Sequence, residues 1–286
     1  MADWADGYWA SEDGLKLHYR DYPGRGDRPP ILCIPGLTRN ARDFEGVADR
    51  LKGEWRLICV DLRGRGASEY ARDPMSYVPP VYARDMEALI AHLKLQRFIL
   101  FGTSLGGLIT MLLAMADKSR IAGALLNDIG PEIETRGLDH IRSYVGRSQS
   151  FPTWLHAARF LCEGQSDRYP DWPIDQWLVY AKRLCKLTPG GRVMLDYDMR
   201  IAEPFKLPGG DTGFDPWDAF RALDDIPSLI VHGALSDLLS AGTVQRMVAE
   251  NAAMEAVTIP RTGHAPTLDE PEATAAIDRL LARITA

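Results

Sequence analysis

The stretch Phe98-Ile99-Leu100-Phe101-Gly102-Thr103-Ser104-Leu105-Gly106-Gly107-Leu108-Ile109-Thr110-Met111 sets a serine among glycines, between a short apolar run and a longer one. Phe98 to Phe101 read as a buried strand, and Leu105 to Ala116, apolar on nearly every face, as a helix packed against a sheet. A strand that turns straight into a helix while lifting one side chain clear of the sheet forces that residue into an unfavourable backbone conformation, so its neighbours must be small. Gly102 and Gly106 stand two positions either side of the serine. G-x-S-x-G in this strand-turn-helix context marks Ser104 as a nucleophile and the Leu105 N–H, at the positive end of the following helix, as a donor to an oxyanion. A phosphate loop fits poorly, because no Gly-Lys-Ser or Gly-Lys-Thr is present.

A serine hydroxyl is a poor nucleophile without a base, and the base needs a carboxylate to orient it. Of six histidines, His264 is the expected base: it lies in Arg261-Thr262-Gly263-His264-Ala265-Pro266, after the last strand and before the final helix. His18 on an early strand and His92 on a helix read as structural, and His232 ends a strand. His140 and His156, with Arg39, could meet a polar substrate group, although surface or packing roles are the plainer reading. The acid should lie between serine and histidine in the chain. Asp237, following the strand Leu229-Ile230-Val231-His232, is the expected choice, with Asp128, at the end of Leu126-Asn127-Asp128, as its rival; either could instead cap a turn. A second oxyanion donor is expected from Ile34-Pro35-Gly36-Leu37-Thr38, where Gly36 permits the turn and the Leu37 N–H points inward.

Elsewhere in the chain, Leu15 to Arg20 alternates like an exposed antiparallel strand. Ile31 to Ile34, Leu57 to Val60, Ile121 to Leu126, Ser228 to Val231 and Glu255 to Ile259 read as further strands. With a weak first strand near Tyr8-Trp9-Ala10 the fold class is α/β, a mostly parallel eight-stranded sheet flanked by helices. Further helices are predicted over 81–95 and 271–284. The rhythm breaks between residues 131 and 208, where Tyr144, Trp154, Tyr169, Trp172, Trp177, Tyr180 and Tyr197 gather without a convincing strand. This predicts a helical insertion whose aromatics pack on one another, dividing the chain into a core of residues 1–130 and 209–286 and a cap of residues 131–208.

A net charge of -6 and a pI near 5.6 argue against nucleic acid as a partner. Cys33, Cys59, Cys162 and Cys185 form no C-x-x-C pair, the first residues are acidic rather than signal-like, and no apolar run reaches the length of a membrane span. A cytoplasmic protein acting on a small molecule, away from membranes, is expected. The sequence leaves its oligomeric state open.

Together, Pro35-Gly36-Leu37, Asp61-Leu62-Arg63-Gly64-Arg65-Gly66-Ala67-Ser68, Gly102-Thr103-Ser104-Leu105-Gly106-Gly107, Ser236-Asp237 and Gly263-His264 resemble the α/β-hydrolase fold superfamily, in particular its lid-bearing esterase, lactonase and carbon–carbon hydrolase branch. The resemblance implies a triad of Ser104, Asp237 and His264, an oxyanion hole of Leu37 and Leu105, a lid formed by the insertion, and no metal or organic cofactor. It makes Asp61 to Ser68 a structural turn in which Arg63 ties loops together. The activity it implies is hydrolysis of an ester or lactone of a small to medium, largely hydrophobic substrate through an acyl-enzyme. Cleavage of a carbon–carbon bond in a vinylogous diketone is the alternative, since Ser104-Leu105-Gly106-Gly107 also matches the elbow of such enzymes. A receptor that binds a small molecule under the lid without chemistry is the reading from a different class.

Overall fold

Continuous apolar runs and alternating ones behave differently once folded, and the sheet sorts them accordingly. The computed structural model describes residues 3–206 and 215–285. Its strands are β1 (Ala5–Ala10), β2 (Lys16–Tyr22), β3 (Ile31–Ile34), β4 (Leu57–Asp61), β5 (Phe98–Thr103), β6 (Ile121–Asn127), β7 (Ser150–Phe151), β8 (Cys185–Leu187), β9 (Val193–Leu195), β10 (Ser228–Gly233) and β11 (Met254–Ile259). Eight of them form one sheet in the order β1-β2-β4-β3-β5-β6-β10-β11. The pairs β1·β2 and β2·β4 are antiparallel and all others in this sheet parallel. Every residue of β3, β4, β5, β6 and β10 is buried, as expected for parallel strands covered on both faces.

The helices are α1 (Glu45–Leu51), α2 (Pro79–His92), α3 (Leu105–Asp117), α4 (Thr135–Tyr144), α5 (Trp154–Gln165), α6 (Ile174–Leu184), α7 (Pro216–Arg221), α8 (Ala241–Glu250) and α9 (Pro271–Thr285). Leu89, Ile90 and Met86 of α2 and Ile109 and Leu113 of α3 pack against one face of the sheet. Ala273, Ile277 and Leu280 of α9 join Val47 and Leu51 of α1 on the other. Among the described residues no helix is long and apolar enough to cross a membrane.

The sequence pattern predicts no strand between residues 131 and 208, yet β7, β9 and β8 form a small antiparallel sheet there. Strands of two or three residues are too short to carry a period, which is why the pattern misses them. Four of the seven aromatics pack on one another: Tyr169 stacks on Trp172 with centroids 4.1 Å apart, and Trp177 and Tyr180 meet Trp172 edge-on. The expected boundary at 208/209 lies outside the described residues.

The glycines around Ser104 answer to contacts at close range. Ser104 has φ 53° and ψ −115°, a region costly for any residue with a side chain. A Cβ on Gly102 would sit 2.4 Å from Gly106 O, and one on Gly106 would sit 2.0 Å from Ile34 O. Nearby, Gly64 (φ 77°) and Gly66 (φ 54°) let the chain fold back after β4. Buried Arg63 closes that turn with paired bonds to Asp85 (2.7 and 2.6 Å) and Asp13 (2.9 and 3.0 Å).

Because the obstruction at Gly106 is backbone, Gly106→Ala is expected to destabilise the fold by about 2 kcal/mol or more, whereas Gly26→Ala, which meets open space, should stay within about 0.5 kcal/mol. Urea midpoints of the two variants check this.

Candidate active site

Parallel strands deliver their carboxyl ends to one edge of the sheet, and β5, β6 and β10 are consecutive there. Ser104 leaves the end of β5, and its N–H donates to Asn127 O at 2.9 Å. The Asn127 side-chain amide donates to Pro266 O at 2.8 Å, so the serine turn and the histidine loop hang from one residue, the turn from its backbone carbonyl and the loop from its side chain. Two residues that follow α5 hold the same loop. The Gly263 N–H donates to Arg168 O at 2.7 Å, and Tyr169 Oη donates to Ala265 O at 2.9 Å.

His264 Nε2 lies 2.9 Å from Ser104 Oγ. Its Nδ1 lies 2.8 Å from Asp128 Oδ2. A carboxylate only accepts, so Nδ1 carries the proton and Nε2 presents its lone pair to the serine hydroxyl. Asp128 is fully buried. Its remaining capacity is filled by the Gly233 N–H on Oδ1 (2.8 Å) and the Ser236 hydroxyl on Oδ2 (2.6 Å), the donors a buried carboxylate needs.

Asp237, the carboxylate expected at this place, is not there. It accepts from Arg168 Nη2 at 2.5 Å, with His140 Nδ1 3.9 Å away. The difference lies in local bonding: the β10 loop gives Asp128 the Gly233 N–H and the Ser236 hydroxyl, while its own Asp237 turns to Arg168. Both aspartates lie between Ser104 and His264 in the chain, so chain order does not separate them. Asp128 also adopts φ 54°, which aims its side chain back across the strand ends. Short polar residues tolerate that conformation best.

The loop after β3 lies against the nucleophile. A Cβ on Gly36 would be 3.5 Å from Ser104 Cβ. Buried Arg65 donates from Nε to Leu37 O at 2.9 Å, fixing that peptide, and from Nη1 to Arg63 O and Tyr82 Oη. Among the described residues neither the Leu37 nor the Leu105 N–H has a hydrogen-bond acceptor. His18 bonds Asp61 and Asp6, His232 lies 3.1 Å from Leu239 O, and His156 Nδ1 lies 2.8 Å from Thr153 Oγ1 at the start of α5. None of the three lines a cavity at Ser104, in contrast to Arg39 and His140.

Two cavities meet at Ser104. One, about 400 Å³, runs beneath the insertion past Arg39, His140, Tyr144, Tyr180 and His264. The other, about 250 Å³, is walled by Leu105, Leu108, Ile129, Ile133, Phe205 and Leu238. Arg147, Arg168 and Gln165 on the first wall carry no motif that would have singled them out in the sequence. Burial, aided by Arg168 and opposed by Asp237, pushes the pKa of His140 down, so it is uncharged at neutral pH. Among the described residues no group of three or more His, Cys, Asp or Glu is placed to hold a metal ion.

Residues 31–277 match the sequence profile of the alpha/beta hydrolase family. The chain belongs to that family. It is 38% identical over 267 residues to a 3-hydroxybutyrate-oligomer hydrolase from Cupriavidus necator, covering 89% of this chain and 90% of that one. It is 28% identical to a 2-(acetamidomethylene)succinate hydrolase from Mesorhizobium japonicum, covering 87% and 86%. Among solved structures, an alpha/beta hydrolase from Novosphingobium aromaticivorans superposes with a TM-score of 0.95 at 57% identity, covering 99% of both chains. The protein is thus a hydrolase of this family, with the eight-stranded fold expected from its sequence.

The geometry ranks the two aspartates. Asp128→Asn should lower turnover of a small aryl ester about 10³-fold or more by reversing the imidazole's hydrogen-bond polarity, and Asp237→Asn less than about tenfold. Steady-state kinetics of the two variants read the order.

Proposed function

We propose that the protein hydrolyses carboxylic esters through an acyl-enzyme on Ser104, with His264 as general base and Asp128 in the place first expected for Asp237. The observation that carries this reading is the unbroken line Ser104 Oγ, His264 Nε2, His264 Nδ1, Asp128 Oδ2, with steps of 2.9 and 2.8 Å. As Oγ attacks the substrate carbonyl, its proton moves to Nε2, and the buried carboxylate offsets the charge of the imidazolium. The Leu37 and Leu105 N–H groups receive the oxygen that becomes negative, at the N-terminus of α3. The same imidazolium protonates the departing alcohol, and a water deprotonated by Nε2 then releases the acid. No cofactor is required, and a lactone would open by the same steps.

The relative from Cupriavidus necator favours oligomeric esters of a hydroxy acid as the substrate class. Residues 131–208 would act as a cap, since Tyr144, Arg168 and Tyr180 overhang the serine. Four free thiols, three of them buried, suit a reducing cytoplasm.

On this reading a nitrophenyl ester gives a burst of nitrophenol equal to the enzyme present, and intact mass spectrometry places the acyl group on the peptide containing Ser104. Ser104→Ala is expected to lose the burst and at least about 10³-fold in rate.

A further inference from the structure

The cavity that opens beside His264 is lined by three guanidinium groups and, among the described residues, by no Asp or Glu: Arg39, Arg147 and Arg168 all reach its wall. The carboxylates that steady them stand behind the wall. Arg39 Nη1 donates to Asp43 at 2.8 Å and Arg168 Nη2 to Asp237 at 2.5 Å, and neither acid faces the cavity. Arg147, on the exposed turn after α4, pairs with no carboxylate among the described residues. All the charged residues on the wall itself are thus arginines, and of the three only Arg39 and Arg168 are paired, among the described residues, with a carboxylate behind it.

Arg39 is also close to the chemistry. The position a Gly36 Cβ would take lies 3.4 Å from Arg39 Cγ and 3.5 Å from Ser104 Cβ, so the guanidinium begins one side-chain length from the nucleophile. It lies 4.7 Å over the ring of Tyr180, which fixes its direction. The second cavity has the opposite character, with no charged residue on its described wall.

The two chambers can be assigned to the two halves of an ester. The leaving oxygen must take its proton from His264, and His264 lines the arginine chamber but not the apolar one. The alcohol half therefore departs into the arginine chamber, and the acyl chain fills the apolar one. Building on the ester-hydrolase reading above, we propose that the arginine chamber is a carboxylate subsite on the leaving-group side, so that the enzyme selects esters whose alcohol half itself carries a carboxylate. In the reaction the bond between acyl carbon and ester oxygen breaks, the acyl carbon ends with a water-derived oxygen, and the hydroxy acid leaves with its hydroxyl protonated. Only the unit at the free carboxyl end of an oligomer satisfies both chambers, which gives stepwise trimming from that end.

The test compares 3-butanoyloxybutanoate with the neutral 3-butanoyloxybutanamide, which share one scissile bond, beside nitrophenyl butanoate as a control. Wild-type kcat/KM should favour the anion by about tenfold or more, the range of a charge-assisted hydrogen bond. Arg147→Gln and Arg39→Gln should each shrink that ratio several-fold, and Arg147, on an exposed turn, supplies a variant that folds. Equal rates for anion and amide with the control ester cleaved would overturn the subsite and leave the hydrolase reading intact. An anion preference undiminished in both variants would likewise overturn it. Failure to cleave any of the three esters would overturn the hydrolase reading itself.

Discussion

A carboxylate held away from water against one imidazole nitrogen is the constraint on which the rest of this site depends. Asp128 is fully buried, an expensive place for a carboxyl group unless its oxygens find donors. Gly233, Ser236 and His264 supply those donors from two other loops. The arrangement therefore does two things at once: it ties the ends of β6 and β10 to the histidine loop, and it fixes the imidazole tautomer so that Nε2 faces Ser104. Loss of any one donor would leave a buried carboxyl oxygen unmatched, so the stability of these loops and the direction of the imidazole rest on the same contacts.

The second constraint is steric. The elbow brings three backbone segments, at Gly102, Gly106 and Ile34, within distances no Cβ could share. The same closeness holds the Gly36 turn against Ser104, where a Cβ on Gly36 would lie 3.5 Å from Ser104 Cβ. Arg65, buried and bonded to Leu37 O, carries the geometry of the β4 turn to the oxyanion loop. The insertion acts on the site in a similar way, since Arg168 and Tyr169 hold the peptides on either side of His264. Arg168, which lines the cavity at Ser104, thus also holds the His264 loop.

The sequence reading recovered what local pattern encodes. Strand and helix periods placed all eight strands of the main sheet, and the spacing of glycines about Ser104 located the elbow because each glycine answers to a nearby contact. His264 followed from its position after the last strand. What escaped depends on contacts in the fold rather than on order along the chain. Asp128 and Asp237 both end or follow a strand and both precede the histidine, and only their contacts in the fold, His264 for one and Arg168 for the other, distinguish them. The short strands of the insertion escaped for want of length. Arg147 and Arg168 are equally hidden, because they come from separate segments and join Arg39, which the sequence does offer to a polar substrate group, on one wall only in the folded chain.

The most direct measurement is the proton spectrum of protein labelled with ¹⁵N at histidine. A low-field Nδ1 proton on His264 is expected in the wild type, persisting in Asp237→Asn and disappearing in Asp128→Asn. Loss of that resonance in Asp237→Asn with its survival in Asp128→Asn would contradict it.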